Sequence, residues 1–146
     1  MTYSSTASIV INASREKVWA AITKPEILKQ YFFGTDMDTT WDVGSPIFFR
    51  GEWEGKAYED KGTVLEYEPL QSLSYNYWSA FSGLEDKPDL YQIIRFDLEN
   101  ATPEDGKSEA TKITISQSNV ATKETADHSA QNWNTVFEAM KKLLET

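Results

Sequence analysis

The chain has 146 residues, 40% of them hydrophobic and 25% charged, which is the size and balance of one globular domain able to bury roughly two thirds of its surface. Its 23 acidic residues outweigh 14 basic ones and give a formal charge of −9, which argues against nucleic acid and anionic membrane surfaces, since both are bound through clustered Lys and Arg. Cysteine is absent, so disulfides, thiolate chemistry and Cys-ligated zinc are excluded.

The first alternating segment is Ser8-Ile9-Val10-Ile11-Asn12, rich in β-branched residues, which puts Ala7, Ile9 and Ile11 on one face of a strand. Ser14 follows as a helix cap, with Glu16 near the positive end of the helix dipole and Val18, Trp19 and Ile22 facing inward. Lys24-Pro25 interrupts that helix, because proline disfavours helical geometry before it yet suits the first turn of a new helix. A second short helix therefore runs from Pro25 to about Tyr31.

From Phe33 to Ile115 the helical period gives way to short alternating runs, broken by Gly, Pro, Asn and Asp. This pattern predicts a meander of antiparallel strands. Ile47, Phe49, Gly51 and Trp53 share one face, and Phe48, Arg50, Glu52 and Glu54 the other. Leu73, Tyr75 and Tyr77 repeat the alternation, followed by Ile94, Phe96 and Leu98, then Ile113 and Ile115. In the run from Tyr58 to Glu68, adjacent Val64 and Leu65 leave the inward face open. Pro103 and Glu104-Asp105-Gly106-Lys107 carry turn chemistry and predict a hairpin tip.

The last segment shows the i, i+3, i+4, i+7 spacing of an amphipathic helix in Ala130, Trp133, Val136, Phe137, Met140, Leu143 and Leu144. Asn134, Glu138, Lys141, Lys142 and Glu145 occupy its other face. A stripe of this length must be buried, and the apolar face of the preceding sheet is the surface large enough to bury it. The expected architecture is α+β and covers residues 1–146 as a single domain.

That order resembles the START-like (SRPBCC) superfamily, and the motifs are similar to the family of the C-terminal domain of the activator of the 90-kDa heat-shock protein ATPase. The resemblance rests on Val18-Trp19-Ala20-Ala21-Ile22-Thr23-Lys24-Pro25-Glu26, Tyr31-Phe32, Trp41-Asp42-Val43-Gly44, Gly62-Thr63-Val64-Leu65-Glu66-Tyr67-Glu68-Pro69, Leu73-Ser74-Tyr75 and Trp133. It implies a helix-grip fold, a curved antiparallel sheet wrapped around the long C-terminal helix, with a cavity between them. Asn132 stands before Trp133 where glycine is common in that family.

With five Trp, seven Tyr and seven Phe, the chain is rich in rings that serve either a core or a concave ligand site. The candidate cavity residues are Trp19, Phe32, Trp41, Phe49, Trp53, Tyr75, Tyr77, Phe96, Trp133, Phe137 and Met140. Trp and Tyr carry polar tips that want a partner when buried. The leading expectation is a module that binds a small apolar ligand, lipid or aromatic, with no catalytic residue assigned. The alternatives are a co-chaperone-like module whose partner is a chaperone or another protein, and a cyclase- or hydrolase-type enzyme with Glu66 and Tyr75 as first suspects.

No cofactor and no metal is expected. His128, the single histidine, sits beside Asp127 and Ser129, but sequence neighbours on a helix diverge, so a solvent or helix-end role is expected over a relay. Asp36, Asp38 and Asp42 lack the glycine and terminal glutamate of a calcium loop and suggest a solvated strand edge. No stretch approaches the ~18 apolar residues of a membrane span, and Met1-Thr2-Tyr3-Ser4-Ser5 lacks the start of a signal peptide. Cytoplasmic localisation without membrane insertion is the expectation.

Overall fold

The computed structural model describes residues 2–32, 34–79, 84–102 and 109–145, with the side chain of Trp53 left out. Phe33, the hairpin tip predicted at Pro103–Lys107 and the inward face assigned to the Trp53 ring lie outside the described residues.

The elements follow the order read from the pattern. They are β1 (Tyr3–Ile11), α1 (Arg15–Thr23), α2 (Pro25–Tyr31), β2 (Asp36–Thr39), β3 (Pro46–Trp53), β4 (Lys56–Glu68), β5 (Ser72–Tyr77), β6 (Gln92–Ala101), β7 (Ala110–Val120) and α3 (Lys123–Leu144). A single 3-10 turn, Pro88–Leu90, precedes β6. The seven strands form one antiparallel sheet ordered β1-β7-β6-β5-β4-β3-β2. The sheet is curved and open, and α3 packs against β1 and β7 while α2 packs on β2 and α3. Its inner face carries Ile47, Phe49, Leu73, Tyr75, Ile94, Phe96, Leu98, Ile113 and Ile115, all buried.

Local chemistry sets the boundaries. The Ser14 side chain accepts a hydrogen bond from the Lys17 amide and starts α1, and Pro25 occupies the first turn of α2, where its missing N–H breaks no bond. Thr122 does for α3 what Ser14 does for α1, accepting from the Thr125 amide. Strand β1 starts at Tyr3, earlier than its apolar run suggests, because the ladder to β7 continues through Ser5, Thr6 and Ala7. Ladder hydrogen bonds are backbone bonds and need no apolar side chain.

A register shift between Val64 and Glu66 resolves the inward face of β4. Val64 is fully buried and Leu65 is 37% exposed; the extra residue of the bulge puts Leu65 and Glu66 outside and returns Tyr67 to the inner side. On the outer face of the sheet, Arg50 lies over the Phe48 ring, 4.7 Å from its centre, and pairs with Asp38 and Glu59. Asp36 pairs with Lys29. The acidic edge is thus solvated and ion-paired, and no group of metal-ligating side chains occurs among the described residues.

Candidate functional site

Because a twisted sheet cannot lie flush along a straight helix, α3 and the sheet leave a gap at the end covered by α2. This gap is an apolar cavity. Ile22 of α1, Leu28 and Tyr31 of α2, and Phe32 just after it form one wall. Met37, Trp41, Phe49, Tyr75 and Phe96 come from the sheet side, and Trp133, Val136, Phe137 and Met140 from α3. None of these side chains is charged. Water centres have about 20 Å³ to occupy, room for one or so water molecules and too little for an organic ligand without widening.

Of the eleven residues singled out in the sequence, Phe32, Trp41, Phe49, Tyr75, Phe96, Trp133, Phe137 and Met140 line this cavity. Trp19 and Tyr77 do not. Trp19 is buried against Tyr67, with ring centres 5.5 Å apart, beyond Trp41. Tyr77 lies at the other end, edge-on to Phe49 and hydrogen-bonded to Asp60. The side chain of Trp53 is outside the described set.

The rings form two arrays that meet at the cavity. Along the sheet, Tyr67 stacks on Trp41 at 5.7 Å, Trp41 touches Tyr75 at 6.4 Å, and Tyr75 touches Phe49 at 5.5 Å. Across the mouth, Trp133 packs on Phe32 at 5.6 Å, edge-on against Phe96 at 5.7 Å and on Phe137 at 6.3 Å. Phe32, Trp41 and Trp133 are half-buried while the other lining residues are buried, so solvent comes nearest at these three rings.

Nearly every polar tip in the lining is committed to the protein itself. The Tyr31 hydroxyl donates to the Ala21 carbonyl at 2.6 Å, Trp41 Nε1 to the Thr23 carbonyl at 2.9 Å, and Trp133 Nε1 to Gln117 Oε1 at 2.9 Å. Trp41 needs such a hold, because its backbone is left-handed at φ 65°, a conformation costing about 1–3 kcal/mol in a non-glycine residue. The Tyr75 hydroxyl is the exception. Tyr75 is 5% exposed; its hydroxyl makes no hydrogen bond to the described residues, and it faces the cavity rather than being sealed from water. Burial pushes both Tyr31 and Tyr75 well above the ordinary phenol range, with Tyr31 raised further by Tyr75. Both phenols are neutral at physiological pH.

Sequence reasoning missed Ile22, Leu28, Tyr31, Met37 and Val136 as lining residues, having weighted rings on strands over the short helices. Periodicity did carry the signal for Val136, three positions after Trp133. Glu66, the first carboxylate suspected of chemistry, is on the outer face: it is ion-paired to Arg95 at 3.0 Å and accepts from Ser74 at 3.2 Å. The bulge turns it away from the cavity. His128 is exposed in the second turn of α3, and Asn132 is exposed too, so it does not separate the helix from the sheet.

A curved antiparallel sheet gripping a long C-terminal helix, with two short helices after the first strand and an apolar gap between, defines a START-like helix-grip domain. The chain belongs to the family described as activator of Hsp90 ATPase homolog 1-like protein, whose profile matches residues 12–145. Among solved structures it is similar to ChR145 from Cytophaga hutchinsonii, at 40% identity over 98% of this chain and 94% of that one, with a TM-score of 0.78. The fold is shared with the Aha1 dimer of Colwellia psychrerythraea (23% identity, 98% and 96% covered, TM-score 0.70). It is shared equally with MLL2253 from Mesorhizobium loti (22% identity, 98% and 97% covered, TM-score 0.74). No curated protein matches the sequence. No helix among the described residues is long and apolar enough to cross a membrane.

Proposed function

We propose that this protein binds one small apolar molecule between α3, α2 and the inner face of the sheet. The fold commonly serves hydrophobic ligands, and the observation that carries the reading here is the lining itself. Thirteen side chains from seven elements and two connecting segments converge on one gap without a single charge. A lining built of rings, branched aliphatic chains and two methionines rewards apolar contact at about 0.8 kcal/mol per buried CH2, and it penalises ions that would be stripped of water.

The gap must widen to accept an aromatic or acyl group, and its walls are suited to that. Met37 and Met140 are unbranched and repack readily. Phe32 follows the last turn of α2 and meets Trp133 at the half-buried mouth, so separating these two rings opens the cavity without breaking the ladder of the sheet. The lining supplies neutral phenols and no carboxylate or imidazole, which favours holding a ligand over transforming it.

Native mass spectrometry of freshly purified protein tests this reading, together with uptake of toluene followed by tryptophan emission. A retained small-molecule adduct, or saturable uptake that displaces an environment-sensitive dye, is expected. Protein that is empty and takes up no apolar probe would shift the reading to a protein partner.

A further inference from the structure

We infer that the ligand carries one uncharged oxygen acceptor, a ketone, aldehyde or ester carbonyl, and that the Tyr75 hydroxyl donates a hydrogen bond to it. The inference rests on the ligand-binding reading above and specifies its chemistry. A polar group that faces an apolar cavity with no partner from the protein is uncommon, and it is open to a partner supplied by a ligand. In this lining the expected economy is kept at Tyr31, Trp41 and Trp133, each of which donates to a fixed acceptor of the protein. Among these polar tips Tyr75 makes no such bond to the described residues, and its ring lines the cavity. It sits on β5 in the middle of the inner face, opposite Ile94 of β6 and Val64 of β4, flanked by the rings of Trp41 and Phe49.

The charge of the ligand group follows from the same surroundings. A carboxylate at this position would need a cation, and the described lining holds none; burying it unpaired is prohibitive. A phenol held neutral by burial is a good donor and a weaker acceptor, so a neutral carbonyl oxygen fits it better than an amine or ammonium group. The apolar body of the ligand would then lie toward Trp133, Phe137 and Met140, with its carbonyl toward the sheet.

The test compares acetophenone with α-methylstyrene, which has the same shape with a CH2 group in place of the carbonyl oxygen, on the wild-type protein and on Tyr75→Phe. Binding is read by calorimetry or dye displacement on the full chain. The substitution removes an unbonded hydroxyl, so the melting temperature should be unchanged or slightly higher. Acetophenone should bind about tenfold more weakly to Tyr75→Phe while α-methylstyrene is unaffected or tighter, and benzoate should bind neither protein. An equal response of the two probes to the substitution, or benzoate binding as tightly as acetophenone, would overturn the inference and leave the apolar-cavity reading standing. Failure of both neutral probes to bind the wild type would overturn that reading, and the inference with it.

Discussion

Trp133 Nε1 of α3 donates to Oε1 of Gln117 on β7 across 2.9 Å, tying the middle of the long helix to the inner face of the sheet. Gln117 is itself buried, and its amide nitrogen donates to Gln92 Oε1 on β6. The chain Trp133–Gln117–Gln92 is a polar strut inside an apolar grip. It fixes the rotation of α3 and hence which of its residues face the cavity.

Replacing Trp133 with Phe keeps a ring against Phe32, Phe96 and Phe137 but removes the donor, leaving Gln117 Oε1 buried and unpaired. The expected loss is about 1–3 kcal/mol, read as a lower denaturant midpoint at unchanged slope. Combining it with Gln117→Leu should recover part of that loss, because the orphaned acceptor disappears with its partner. A loss that is the same with and without Gln117 would show that the strut is not what holds the helix.

Gly62 explains one motif of the family resemblance physically. A Cβ at this position would stand 1.7 Å from the carbonyl oxygen of Asn76 on β5 and 3.1 Å from its Oδ1, while Asn76 Oδ1 accepts from the Thr63 amide at 2.6 Å. Gly62→Ala must therefore push two strands apart, and it should cost at or above the upper end of the ~1–3 kcal/mol typical of overpacking. A thermal melt unchanged from wild type would contradict the close approach.

Tyr31, Tyr75 and Tyr77 all titrate above the ordinary phenol range, chiefly because they are buried, with Asp60 adding to the shift at Tyr77. In the unfolded chain they ionise near ~10. The unfolded state thus loses protons first as pH rises, and stability from these groups is complete below ~10 and falls above it, by up to about 1.4 kcal/mol per group and pH unit. Tyrosinate absorbance from these three should appear together with loss of near-ultraviolet dichroism. Ionisation of all three in a protein that keeps its dichroism would refute their burial as neutral phenols.

The fold was legible because several local signals agreed. Pro25 marks where α1 stops and α2 starts, the stripe from Ala130 to Leu144 can only face a sheet, and the period-2 runs on β3, β5, β6 and β7 choose their inner faces unaided. The β4 face was not legible, since a bulge sets Leu65 and Glu66 side by side on the outer surface and alternation has no way to announce it. The cavity was legible in its rings and not in its limits. Trp19 and Tyr77 share the inward pattern of the lining residues, and only the three-dimensional placement of Trp41 and Phe49 between them and the gap excludes them. Gln117 could have been found, because it continues the inward series Ile113, Ile115; a polar residue in that register calls for a buried partner.

Occupation of the cavity can be read from the methyl groups of the protein by NMR while toluene is titrated in. Saturable shifts are expected at Met37, Met140, Ile22 and Val136, which line the cavity, with Val43, Leu65 and Ile93, exposed at 65%, 37% and 42%, unmoved. Shifts confined to the exposed methyls, or none at the cavity methyls at saturating toluene, would contradict it.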